Sequence, residues 1–178
     1  MKRFLALILT AALALAFAGC GEQLSGPIEL KMNSSILDML MQQAGIDVTT
    51  LSSQEGVHSF TSEDGNIAVL TISPEFHQQL LNAAYSAIDD AVFSATTEEG
   101  AIAKEVIYSE DGTVFEVMVD IAEFEERGDV TLSLGFFLCS GMYQSVQGVA
   151  ADKIKTTVHF KDVATGGIIE TVVYPQGA

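Results

Sequence analysis

The sequence has no tryptophan, two cysteines, three prolines, three histidines and only 8 Lys+Arg among 178 residues. Each scarcity excludes something. Two cysteines cannot build the disulfide framework of a small secreted scaffold. Three Pro and fifteen Gly leave no collagen-like or linker-like bulk. The few basic residues stand against 24 Asp+Glu, for a formal net charge of -16. Phosphate contacts need a basic face, so a nucleic-acid partner is not expected. What the chain does have is apolar: a composition 48% hydrophobic and 18% charged can bury a core, and the length suits one domain.

The apolar residues are not spread evenly. Met1-Lys2-Arg3 precedes an apolar run from Phe4 to Phe17, and Ala18-Gly19-Cys20 follows. A positive start, about 14 apolar residues and an exit of small residues form the layout of a secretory signal. The run is shorter than the roughly 20 residues that a permanent membrane-spanning helix needs. With Ala18, Gly19 and Cys20 as its lipobox, the segment resembles a bacterial lipoprotein signal peptide, here with Phe17 where the family usually has Leu. The resemblance covers residues 1–20 only. It implies lipid on the Cys20 sulfur and cleavage before it, so residues 1–19 form the signal peptide and the membrane is a partner through the N-terminal lipid. Gly21 follows the cysteine instead of Asp, so no inner-membrane retention signal is matched. The implied location is the extracytoplasmic side of the cell membrane, or the outer membrane in a cell that has one.

Cleavage removes Lys2 and Arg3 but no acid, which moves the charge from -16 to -18. Residues 20–27 are the lipidated cysteine and a tether. The seven residues Gly21 to Pro27 reach at most about 25 Å, so the domain, residues 28–178, is held near the membrane. Cys139 is then the one remaining thiol; it follows Phe136-Phe137-Leu138, which predicts a buried, inert side chain.

Two segments of the domain look alike. Ser-Glu-Asp-Gly occurs at 62–65 and at 109–112, each time leading into an apolar, β-rich run. Asp-Gly between extended runs signals a hairpin, because Gly accepts the positive φ of a tight turn. Hairpins are expected at about 57–72, 102–120 and 154–173. The match records either a duplication or the shared chemistry of hairpins.

A helix is expected before each hairpin. The first is capped by Asn33 or Ser34 and stopped by Gly45, with Ile36, Leu37, Leu40 and Met41 on one face. In the second, Ser73 fits the N-cap and Pro74 the first helical position. Phe76, Leu80, Ala84, Ile88 and Val92 then recur at helical spacing to about Ala95. The third, over about 123–146, carries conflicting signals. Phe137, Leu138, Met142 and Val146 suit a helix, whereas Val130 to Phe136 alternate like a strand; the helix–hairpin order favours the helix. The expected class is α+β, an α-ββ repeat with helices packed on one face of a mainly antiparallel sheet.

Motifs that carry chemistry are scarce. His58, His77 and His159 lie far apart without a Cys partner, although His58 and His159 sit in hairpins that could meet across one sheet. Asp120, Glu123, Glu125, Glu126 and Asp129 form an acidic run, but its spacing is not that of a calcium loop, and a solvated helix start explains it. Ser140 has no visible base, and neither Gly-x-Ser-x-Gly nor a phosphate loop is present. No cofactor or metal ligand is assigned, and Cys20 is the one site residue named. The expectation is a membrane-anchored binding or adaptor module, not a catalyst, with an envelope protein as its partner. The alternatives are a lipoprotein that binds a peptide, glycan or cation, and a small hydrolase. An exposed apolar patch would favour a protein partner, and a concave pocket with convergent polar groups a ligand.

Overall fold

The computed structural model describes residues 26–63, 65–127 and 130–175. Cys20, the signal segment 1–19, tether residues 21–25, Asp64 and Asp129 lie outside the described residues. The chain runs β1 (Ile28–Asn33), α1 (Ser34–Gln43), a 3-10 turn (Val48–Ser53), β2 (Val57–Glu63) and β3 (Ile67–Ile72). It continues with α2 (Pro74–Thr97), β4 (Ala103–Tyr108), β5 (Val114–Val119), α3 (Ile121–Arg127), α4 (Val130–Val146), β6 (Thr156–Asp162) and β7 (Ile168–Tyr174).

The fold is α+β, and all three hairpins form. They belong to two sheets, where one was expected: β1-β3-β2, and β4-β5-β6-β7. The long helix α2 stands between the two sheets along the chain. At 24 residues, α2 is roughly 36 Å long, whereas β3 spans about 20 Å. The helix is longer than the strands, and β4, which follows it, pairs with β5 and not with β3. The strand β1, which sequence reasoning assigned to no element, completes the first sheet by pairing antiparallel with β3, Leu30 opposite Leu70. In the second sheet β6 joins β5 in parallel, Val158 opposite Phe115, so the sheet is antiparallel only in its two hairpins.

The helix signals act as expected. Asn33 accepts from Ser35 N at 2.8 Å. Ser73 accepts from Phe76 N at 3.2 Å, with Pro74 in the first turn. The expected third helix forms as two pieces, α3 and α4. No polar face is visible in the sequence of α4 because the helix touches α1, α2, β1 and β6; burial on several sides erases the helical period. This helix links the two sheets. Its Phe136 and Met142 join Leu70 and Ile72 of β3, Phe115 and Val117 of β5, Phe160 of β6, and Leu80 and Ile88 of α2 in one core.

The two Ser-Glu-Asp-Gly copies diverge in space. In both turns the glycine is left-handed, φ 73° at Gly65 and 66° at Gly112. In the first copy Ser62 and Glu63 are still paired within the β2–β3 ladder. In the second, β4 has ended, and Ser109 Oγ accepts from Val114 N at 3.0 Å. A methyl group on Gly65 would meet nothing within 4 Å, whereas on Gly112 it would lie 3.0 Å from both Ile88 and Tyr143. Gly65→Ala is therefore expected to cost about 1 kcal/mol, the left-handed penalty alone. Gly112→Ala adds overpacking, for about 3 kcal/mol in all. Urea unfolding followed by far-UV circular dichroism reads both values, and equal losses at the two sites would refute the packing account.

Candidate functional site

An apolar groove opens between α1 and α4. Ile36 and Met39 of α1 form one wall, Leu134, Phe137 and Leu138 of α4 the other, and Tyr174-Pro175 close one end. Its volume is about 530 Å³. Among the described residues the lining's polar groups are the side chains of Asn33 and Ser35 and the Tyr174 hydroxyl, and no charged side chain lines it. Leu134, Leu138 and Tyr174 remain 52%, 53% and 50% exposed, each with enough apolar surface in water to favour being covered. Buried Phe137 stacks on Tyr174, ring centroids 5.3 Å apart, and so fixes the end of β7 against α4.

The groove follows from the way α4 is used. Leu134, Leu138 and Gly141 fall at i, i+4 and i+7, one stripe of the helix. Phe136, about 200° around the helix from Leu134, is buried in the core on the far side, and Met142 is buried on the flank of the stripe, so both sides are apolar. A helix without a polar face has nothing suited to water on its open side. That absence of charge over Val130–Val146 is the sequence signal that could have found the site. Tyr174 and Met39 carried no such signal, since only the packing brings them to α4.

The other polar centres are structural. Ser140, Gln144 and Thr156 are buried and satisfy one another: Gln144 Nε2 donates to Ser140 Oγ at 2.9 Å, and Thr156 Oγ1 lies 2.7 Å from that same oxygen. Ser140 donates to the carbonyl of Gly112, and Gln144 bonds both backbone groups of Lys155. The partners of Ser140 are hydroxyl, amide and carbonyl groups, none of which can take its proton. The network instead ties α4 to the β4–β5 turn and to the start of β6. Tyr108 donates to Asp89 at 2.6 Å and packs on Tyr85 and Phe115. Desolvation, with the hydrogen bond to Asp89, pushes its phenol above the usual range.

The histidines lie apart, and the acidic run serves α3. His58 lies on β2 of the first sheet and His159 on β6 of the second, so the two do not meet across one sheet. His159 Nδ1 is 2.9 Å from Thr171 Oγ1, and His77 Nε2 is 2.8 Å from the carbonyl of Val146. In the acidic run Asp120 Oδ1 accepts from Ala122 N and Glu123 N, capping α3, and Glu123 pairs with Lys104 at 2.7 Å. Among the described residues no three His, Cys, Asp or Glu side chains converge on a point that could hold a metal ion. No described helix is long and apolar enough to cross a membrane.

No family model, curated protein or solved structure matches this chain.

Cys139 is buried and free, as its apolar neighbours predict. Burial pushes its thiol up to about 11, against about 8.5 for a free cysteine, and the thiolate is the reactive form. In a Cys20→Ser background Cys139 is the sole thiol. Maleimide labelling at pH 8 is expected to be more than roughly a hundredfold slower in the folded chain than in guanidinium. Equal rates in the two states would show that the thiol is accessible.

Proposed function

We propose that this chain is a lipid-anchored extracytoplasmic binding module. It is held to the membrane through Cys20 and docks an apolar segment of an envelope protein in the groove between α1 and α4. The observation that carries the reading is the exposure of Leu134, Leu138 and Tyr174 around a concave lining without charge. A glycan or a cation would call for convergent polar groups, and among the described residues the groove supplies few, at Asn33, Ser35 and the Tyr174 hydroxyl.

The surroundings describe the partner. With 23 Asp+Glu against 6 Lys+Arg in residues 28–178, the domain repels acidic chains and draws basic ones, so the docked segment carries Lys or Arg beside its apolar residues.

The test is a photo-crosslinking amino acid placed at Leu138 of the full chain in its native membranes, with one at exposed Glu110 as control. A single adduct is expected at Leu138, absent at Glu110, its peptide apolar with flanking Lys or Arg. Leu134→Asp should remove most of it. No adduct at Leu138, or one indifferent to Leu134→Asp, would overturn the groove as the docking site.

A further inference from the structure

We propose that β7 is a strand-acceptor edge: a basic, extended segment of the partner adds to it as a fifth strand and lays its apolar side chains in the groove. The inference rests on the docking reading above and specifies its geometry.

The strand order β4-β5-β6-β7 leaves β7 at the sheet edge. Edge strands are normally defended by charge. β1 carries Glu29 and Lys31, β2 carries His58 and Glu63, and β4 carries Lys104 and Glu105. The sequence of β7 is IIETVVY, with Glu170 as its one charge. Its register shift falls beside the turn, between Phe160 and Lys161, so Glu170 to Tyr174 continue in regular pairing.

Backbone directions follow from one bond. Thr157 N donates to Thr113 O on the β5 side. Alternation along a strand then turns the backbone groups of Val158 and Phe160 toward β7. Their partners Val172 and Glu170 are spent on β6, and Thr171 and Val173 present N–H and C=O outward. A strand paired there would place its inward side chains beside Val172 and Tyr174. Those two share the face of buried Val158 and Thr156, and Tyr174 is already stacked on Phe137 at the mouth of the groove. Strand pairing supplies affinity and the groove supplies side-chain selection.

Charge decides between occupants. Glu170 is exposed and makes no ion pair among the described residues. A second copy would bring another chain of net charge -18, counted without residues 1–19, and another Glu170 to the same edge, whereas a basic segment finds a partner.

The probe is a synthetic nonapeptide alternating valine with threonine, with lysine in place of the valine that falls beside Glu170 on the face of Val172 and Tyr174, added to the full-length chain in lipid nanodiscs, with amide exchange read residue by residue. The expected result is exchange slowed at least tenfold at Thr171 and Val173, with Glu170 and Val172 unchanged. Glu170→Lys should weaken binding about fivefold, and Thr171→Pro should abolish it by removing an outward donor. The exchange pattern and Glu170→Lys carry the test if the proline variant does not fold. Absence of peptide binding overturns strand addition, as does protection confined to α4; the Leu138 adduct decides the docking reading separately. A dimer without peptide, with the same alternating protection, would assign the edge to a second copy and overturn the basic partner.

Discussion

Phe115→Ala is expected to lower the unfolding free energy by about 4 kcal/mol. Phe115 is fully buried, with Phe136 of α4 stacked at 4.7 Å and Tyr108 of β4 at 5.8 Å. Emptying a core phenylalanine site costs about 3–5 kcal/mol through lost transfer energy and the remaining cavity. The two ring contacts place this site in the upper half of that range. For a chain of this size the loss corresponds to a fall in Tm of roughly 8–16 °C. Phe93, on the same α2 face as no core residue and 67% exposed, is the control, and Phe93→Ala should change stability by less than about 0.5 kcal/mol. Urea unfolding by circular dichroism measures both, since the chain has no tryptophan to report on the core. A loss below about 2 kcal/mol at Phe115 would mean that α4 closes over the gap, and that the link it makes between the two sheets is compliant.

The second large effect is predicted at Cys20. Two acyl chains buried at about 0.8 kcal/mol per CH₂ hold a protein with on the order of 20 kcal/mol. Repulsion of acidic side chains from an anionic leaflet is at most about 1 kcal/mol per charge close to the surface. It fades within about 8 Å, so acidity does not release the anchor. Intact-mass analysis of the wild-type chain is expected to find residues 1–19 removed and diacylglyceryl on the Cys20 sulfur, with the protein in membranes after a high-salt wash. Cys20→Ser should keep residues 1–19 and gain no lipid, because serine lacks the accepting sulfur. A chain exported behind an ordinary cleavable leader and beginning at Gly21 should be fully soluble. A free Cys20 thiol, or residues 1–19 still attached to the wild-type chain, would end the lipoprotein reading.

Legibility in the sequence tracked locality. The cap at Ser73, the proline after it and the Asp-Gly turn at 111–112 each act within a few residues, and each was readable. The strand β1 was not. Its Leu30 and Met32 alternate with Glu29 and Lys31 over only six residues, and the partner that makes it a strand, β3, lies more than thirty positions away. The two Ser-Glu-Asp-Gly copies show the same boundary. Their identical letters specify a left-handed glycine in each, yet only Gly112 is pressed between Ile88 and Tyr143, and nothing within the motif encodes that.

The candidate site divides in the same way. Leu134 and Leu138 were visible as apolar residues of a segment with two competing periods, but their exposure was not. It arises because α4 spends its other sides on α1, α2 and both sheets, and because Tyr174 arrives from the far end of the chain to stack on Phe137.

By itself the sequence determined the α+β class, the three hairpins, the capped helices and the acidic surface, all properties set by neighbours along the chain or by composition. Only the tertiary structure decided that the strands form two sheets, that β6 joins β5 in parallel, and that β7 and α4 leave an apolar edge and groove open. Those outcomes depend on which distant surfaces meet first to exclude water, and burial is non-directional. Local letters can state that a residue seeks cover; the packing of the whole chain decides which ones are left without it.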